Sequence, residues 1–502
     1  MRKLLTLLLL YFEYIRILPG LMSENDKRNS EKRESLDDYS LKPVPLEKRK
    51  PWIDIAVVWI GVAIVLSALL RGMMIGMGLG SIQNVLLAYL LGEVLLIGMM
   101  ALTGFMGAKQ GLSTPLLARM SFGEKGSLLM SLCLAVAFMG WFGVQAGLFA
   151  ETLKAFAKIS LPVPLLAFSS GILMMVPAIF GFRGLKALSW GAVPPMVVIF
   201  LYGAAKMGFH FLPGQELIRL GQNHVPSPYP STLGAAASII AGGFIVGAVT
   251  SADVFRYARP RFRDILYAAT LSMGISALMQ LVGSTLSMKT GLYHEQLPRI
   301  IIGSEYAGLG LAGFLAIAFA QWTTNDSNLY SSVLAFNAII RGTRWKLAII
   351  VGVLASLLAA WGILGRLELF LSLLSIAVGP IGGIIISDYY LLGRNKNRKW
   401  NRASLKSWNP VAFGVYFLSF LIGWTTSGHP FRFNIFPFSI FAFNGIFSAV
   451  LLYWAGMKIF KKSGPDERVK MEIDEQDAEA AVPGGVIPGG THPGKGILKF
   501  RA

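Results

Sequence analysis

Apolar residues run along this chain in long blocks, divided by short charged turns, and most blocks are as long as a bilayer is thick. A hydrocarbon core of about 30 Å takes about 20 predominantly apolar residues in a helix. Such blocks cover residues 53–79, 85–107, 127–150, 163–180, 187–205, 233–254, 265–287, 309–340, 347–363, 369–392, 411–424 and 436–457. The pattern predicts an all-α polytopic membrane protein with about twelve transmembrane helices. Residues 1–50 and 461–502 lack apolar periodicity and are expected to be disordered cytoplasmic tails. At the start, Arg2 and Lys3 precede the apolar run Leu4–Leu10 in the manner of a signal peptide. That run is short, Glu13 and Arg16 follow closely, and no small-residue cleavage site appears. Met22-Ser-Glu-Asn-Asp-Lys reads as a polar cytoplasmic beginning, so translation is expected to start there, leaving residues 1–21 outside the protein.

Composition agrees with the blocks. Hydrophobic residues make up 54% of the chain and charged ones 15%, against about a quarter charged in soluble domains. The mean hydropathy is +0.58. A net charge of +19 raises nucleic acid as a partner, but the cations sit in short loops. They are densest after the even-numbered blocks: Lys109, Arg119 and Lys125; Arg183 and Lys186; Arg256 to Arg263; Arg341 to Lys346; Arg394 to Lys406. Cytoplasmic loops retain Lys and Arg, so this bias is a topology signal. It places both termini in the cytoplasm of a multi-pass plasma-membrane protein whose macromolecular surroundings are lipid, not nucleic acid. The single cysteine, Cys133, excludes an internal disulfide and a cysteine metal site.

Polar interruptions inside the blocks carry the functional reading. Ser67-Ala68 and Arg71-Gly72 interrupt the first block, and Ala241-Gly242-Gly243 the sixth. Five spans separate them, an odd number, so a repeat at that distance is inverted in the membrane. Broken helices at matching positions of two halves point to a transporter binding site, although glycine also simply lets helices pack closely. The repeats are expected over residues 51–212 and 213–392, with two further helices over 393–460.

Four groups of residues are candidates for chemistry. Trp141 and Gln145, four apart, share one helix face. A flat aromatic beside a donor–acceptor amide suits a flat heterocycle, while the plainer alternative is helix packing. Phe244, beside Gly242-Gly243, can stack on the same ligand or fill the core. In the eighth block, Ala320-Gln321-Trp322-Thr323-Thr324-Asn325-Asp326-Ser327-Asn328 is an expensive string to insert, since a central Asp costs roughly 2.5–3.5 kcal/mol. The Ala320 carbonyl and the Thr323 and Thr324 hydroxyls share i, i+3, i+4 spacing and suit a hard monovalent cation; alternatively the hydroxyls bond back to their own helix. Arg71, Glu93 and Glu151 are ionisable groups in or near spans, and Arg71 either pairs with Glu93 or meets an anionic substrate. Asp253 and Asp388 are expected to pair with arginines or cap helices.

Gly107-Ala-Lys-Gln-Gly-Leu-Ser-Thr-Pro-Leu-Leu-Ala-Arg-Met-Ser-Phe-Gly123, Gly140-Trp-Phe-Gly143, Trp322-Thr-Thr-Asn-Asp326 and Gly379-Pro-Ile-Gly-Gly-Ile-Ile-Ile-Ser-Asp-Tyr389 together resemble the nucleobase–cation symporter-1 family, its cytosine permease branch above all. The resemblance spans about residues 53–460. It implies the five-plus-five inverted-repeat fold of sodium-coupled amino-acid transporters, with two extra C-terminal helices. It also implies inward symport of a nucleobase or related heterocycle (cytosine, purine, hydantoin or allantoin-like) with sodium, or with a proton, by alternating access. No cofactor beyond the coupling ion is implied. Carried over by position, the family's aromatic pair falls on Trp141 and Phe244, and its sodium ligands on the Ala320 carbonyl and the Thr323 and Thr324 hydroxyls, with partner carbonyls near Val62 and Val65. Asn325 falls on a substrate-binding amide, and Gly243 where backbone or a serine meets the ligand. The cytosine branch has Gln where Phe138 stands, an aromatic at 71 and Asn at 93; the hydantoin branch shares Trp-x-x-x-Gln. These departures set Gln145 as a substrate contact, favour an Arg71–Glu93 pair, and move the substrate away from cytosine.

A membrane-embedded enzyme is the rival from another class, and a channel a second. His210, His224, His294, His429 and His492 all lie in loops or tails, with no HExxH, GxSxG or paired-Asp motif, which argues against catalysis. Broken helices with an aromatic pair suit an occluded site better than a continuous pore.

Overall fold

A computed structural model describes residues 43–63, 65–179, 199, 202, 230–304, 308–340, 343–393, 407–428, 435 and 437–463. The fifth expected span, apart from residues 199 and 202, and residues 1–42 and 464–502 of the expected tails lie outside these residues; residues 43–50, expected in the disordered tail, are instead ordered, with a short 3-10 helix at Leu46–Lys48 and Arg49 hydrogen-bonded to the helix ends. The chain divides into two units, residues 1–454 and 455–502, and the site lies wholly in the first.

Among the described residues there is no strand, only an isolated bridge between Lys50 and Ala258. That is the expected outcome for a bilayer, where backbone polar groups must be satisfied within the segment. The helices are α1 (Trp52–Ala63), α2 (Leu66–Leu79), α3 (Ile82–Gln110), α4 (Thr114–Phe122), α5 (Ser127–Ala157), α6 (Val163–Ile179), α7 (Leu233–Val249), α8 (Ala252–Phe255), α9 (Phe262–Thr290), α10 (Leu297–Ile302), α11 (Gly310–Ile339), α12 (Arg344–Ala360), α13 (Leu367–Ile386), α14 (Pro410–Thr426) and α15 (Phe441–Ser463). Among the described residues six segments, including α3, α5 and α9, are long and apolar enough to cross a membrane, and shorter apolar helices accompany them.

Helix α3 shows how these helices divide their faces. It buries Tyr89, Gly92, Glu93 and Leu96, and it exposes Leu86, Leu87, Leu90 and Val94. Polar groups point inward and aliphatic ones outward, the reverse of a soluble surface helix and the arrangement lipid favours. Its end is fixed by Gly111, at φ +74, whose N–H caps the Gly107 carbonyl. Beneath that cap, Arg49 donates to the carbonyls of Val44, Ala108 and Ala258, tying the segment before α1 to the ends of α3 and α8. Asp253 accepts from the Thr114 N–H at 2.6 Å and so caps α4. Asp388 accepts from Ser121 and Tyr453.

Packing sorts the helices into two groups. Helices α5, α6, α11 and α12 pack on one another around Phe142, Phe149, Met174, Phe314, Trp322 and Val351. Helices α1, α2, α3, α7 and α9 form the second group, and α13 touches both through α5 and α7. Inside the second group the backbones nearly meet. A Cβ at Gly72 would lie 1.9 Å from the Gln280 carbonyl oxygen, and one at Gly283 would lie 2.1 Å from that of Leu69. Small residues let membrane helices approach in this way.

Two expected helix breaks are displaced. The first span is interrupted at Val65, extended at φ −128 and ψ 150, while Ser67, Ala68, Arg71 and Gly72 are helical within α2. The sixth span runs unbroken through Gly242-Gly243 and turns only at Thr250-Ser251, before α8. Both glycine signals were read as chain breaks but mark close packing: a Cβ at Gly242 would sit 1.9 Å from the Leu371 carbonyl oxygen.

Candidate functional site

The seam between the two groups is built from α2, α3, α5, α7, α9, α11 and α13. Trp141, 9% exposed, meets the ring of Phe370 edge-on, with centroids 5.4 Å apart at 78°. Gly140 leaves room for this ring, since a Cβ there would fall 2.4 Å from Phe370. The next residue of α13, Leu371, lies against Gly242 of α7. One turn of α13 therefore has Trp141 on one side and the Gly242-Gly243 stretch on the other.

Arg71 completes that stretch. It is 1% exposed, and its side chain occupies the space a residue at 243 would fill: a Cβ there would lie 2.2 Å from Arg71 Cδ and 2.3 Å from Nε. Its Nη1 donates to the Gly243 carbonyl at 3.3 Å. Glu93 is engaged elsewhere, accepting from Gln280 Nε2 at 2.6 Å. Gln280 is held in turn by Ser276, and the Tyr89 hydroxyl donates to the Gln280 carbonyl and shares a short contact with Ser284. The expected Arg71–Glu93 ion pair does not form, because each is claimed by a different neighbour.

On α11 the Ala320 carbonyl accepts from Thr324 Oγ at 2.8 Å and Thr323 Oγ at 3.2 Å, and Thr323 also reaches Phe319. The three expected oxygens converge, in the back-bonded form that membrane hydroxyls adopt. Val62 and Val65 flank the interruption between α1 and α2; α2 touches α11, whereas α1 packs on α9. Asn325 turns its Nδ2 to the Phe142 carbonyl at 3.2 Å and to Met174 Sδ, binding α11 to α5 and α6. Phe244 faces Trp59, centroids 5.9 Å apart, and not Trp141. A flat ligand held between two rings needs them about 7 Å apart, so rings in mutual contact would have left no room.

Polar atoms without partners mark the chamber. Arg71 Nε, Glu93 Oε2, Gln145 Oε1, Gln280 Oε1, Asn325 Oδ1 and both ends of Gln321 are buried and unbonded. A buried polar atom left without a partner costs about 1–3 kcal/mol, so each of these atoms is a candidate contact for a polar ligand. Phe370, Gln280 and Gln321 were not singled out from the sequence. Phe370 is one aromatic among the leucines of its span and gives no signal of its own, whereas Gln280, a lone amide in an apolar span, could have been noticed.

Residues 43–451 match the family described as permease for cytosine/purines, uracil, thiamine, allantoin. That decides the family. The chain belongs to the nucleobase–cation symporter-1 permeases. Cytosine permease of Escherichia coli K12 is 31% identical over 376 residues, covering 75% of this chain and 86% of that protein. Hydantoin permease of Microbacterium maritypicum is 25% identical over 448 residues, covering 82% and 86%. The structure of Mhp1, a transporter of the same family in a closed conformation with bromovinylhydantoin bound, superposes with a TM-score of 0.65 at 21% identity, over 85% of this chain and 96% of Mhp1. The fold is therefore the five-plus-five inverted-repeat architecture, and this permease is a multi-pass membrane transporter, not an enzyme.

Proposed function

We propose that this permease takes up a nucleobase or related flat heterocycle by cation-coupled symport with alternating access. The observation that carries the reading is the chamber itself. Helices of both groups carry buried donors and acceptors without partners, and α5 and α13 bring Trp141 onto Phe370. A planar ring with N–H and C=O edges satisfies such a set, with Trp141 as its stacking surface, Gln145 and Asn325 as amide contacts, and Gly243 and Phe244 bordering it from α7. The names of its relatives, cytosine permease and hydantoin permease, and the hydantoin in Mhp1 support this ligand class.

Sodium is the proposed coupling ion, held by the Ala320 carbonyl and the Thr323 and Thr324 hydroxyls, with carbonyls of Val62 and Val65 across the interruption of the first span. Rotating either hydroxyl off the Ala320 carbonyl frees oxygens without moving backbone. A proton is the alternative driver. The repeats are assigned to residues 51–212 and 213–392, with both termini in the cytoplasm and the protein in the plasma membrane, following the arginine-rich loops.

Uptake into proteoliposomes tests the reading. Labelled uracil, cytosine, hydantoin and allantoin are offered with an imposed sodium gradient, a proton gradient, or neither. Saturable accumulation driven by one gradient is expected. Flux that neither saturates nor responds to either gradient would remove symport.

A further inference from the structure

One feature of the chamber exceeds what a neutral heterocycle requires, the buried guanidinium of Arg71. Among the described residues its one hydrogen-bond partner is a neutral carbonyl, that of Gly243, and its Nε is buried and unbonded. Burying a cation without a contacting anion is costly, and side chains so placed are normally paired or face a ligand. Among the described residues the titratable neighbours are Glu93 and Tyr89 of α3; α9 presents Ser276, Gln280 and Ser284, and α7 presents glycine. Glu93 does not contact Arg71, and Gln280 occupies its Oε1. The guanidinium therefore keeps a buried donor, Nε, that no described residue satisfies. It lies where a side chain at position 243 would stand, against the same segment of α7 that Leu371 packs on beside Phe370 and Trp141.

We propose that Arg71 is a specificity-determining residue that selects heterocycles bearing an ionised carboxylate, the carboxylate docking on the guanidinium while the ring lies on Trp141. The inference rests on the site reading given above. A carboxylate meets a guanidinium with two charge-assisted hydrogen bonds, which a neutral ring edge cannot match. Glu93, a like charge in the same chamber, moderates this preference, so the two residues act with opposite sign.

The test is binding to the purified, detergent-solubilised full-length protein, with paired probes differing only in the carboxylate: uracil against uracil-6-carboxylate, and hydantoin against hydantoin-5-acetate. Wild type is expected to bind the carboxylates at least about tenfold more tightly. Arg71→Gln should erase the difference, read as the ratio of affinities within each probe pair, and Glu93→Gln should widen it. Wild type binding the neutral probes as well as or better than their partners overturns the inference and leaves the permease reading standing. So does Glu93→Gln narrowing the difference. Binding of none of the four probes sinks both. If Arg71→Gln does not fold, the wild-type ratio and the Glu93→Gln shift still decide.

Discussion

Replacing Gly72 by alanine tests whether α2 and α9 are held at backbone contact. A Cβ at 72 would lie 1.9 Å from the Gln280 carbonyl oxygen and within 2.8 Å of its carbonyl carbon and Cα, about 1 Å inside the closest approach real Cβ atoms show. The obstacle is backbone, so no rotamer relieves it and the helices must separate. Separation also stretches the α9–α2 hydrogen bond from Ser284 Oγ to the Gly72 carbonyl at 2.6 Å, and moves the Gln280 carbonyl that Tyr89 Oη of α3 holds at 2.9 Å. Overpacking costs typically about 1–3 kcal/mol, and this site belongs at the upper end. Gly98 of α3 is the control, because nothing lies within 4 Å of a Cβ there. Alanine at 98 removes a glycine from a helix interior and should gain about 0.5–1 kcal/mol. The two substitutions are chemically identical and opposite in expected sign. Thermal unfolding in detergent, with size-exclusion profiles for each variant, reads the difference. Gly72→Ala melting with wild type, or Gly98→Ala melting below it, would refute the packing argument.

Trp141→Ala should abolish substrate binding while membrane insertion and yield persist; wild-type affinity in that variant would take Trp141 out of the site. Thr323→Ala with Thr324→Ala should weaken uptake chiefly at low sodium, and a loss independent of sodium would argue against the ion site. His294, in the connection between α9 and α10, is buried with its Nε2 on the Leu364 carbonyl at 3.1 Å, and burial lowers its pKa. The unfolded chain therefore takes up the proton first, so stability is full above about pH 6.5 and falls as the pH drops from there toward the folded value. Melting temperature measured from pH 8 to pH 5 should decline over that range and flatten in His294→Gln; the same slope in the variant assigns it elsewhere.

The spans were legible because lipid imposes one rule on every helix, and hydropathy reads that rule directly. The interior was legible only in part. Gly242-Gly243 and Gly72 look identical in sequence to helix breaks, and only the partner helix shows that they accommodate carbonyls of Leu371 and Gln280. Arg71 and Glu93 were noticed as opposite charges in neighbouring spans, but side-chain reach decided the outcome: Gln280 takes Glu93, and Gly243 takes Arg71. Trp141 announced itself through Gln145 four residues on, whereas Phe370 has no amide on its own helix face to mark it.

The polar string of α11 ties these observations to movement. Asn325 and Ser332, seven residues apart on one face, both donate to backbone carbonyls of α5, Phe142 and Ala135. Those side-chain bonds, with the aromatic core around Trp322 and Phe149, make α5 and α11 one body. Arg71, Gly243, Glu93 and Gln280 belong to the other helix group, joined by their own hydrogen bonds. In the proposed site, a ligand on the seam would touch Trp141 and Gln145 from the first body and Arg71 and Gly243 from the second. It can shift the equilibrium between two arrangements only by its difference in affinity for them. On the proposed reading, binding would favour whichever arrangement brings both sets of unpartnered atoms onto the ligand at once.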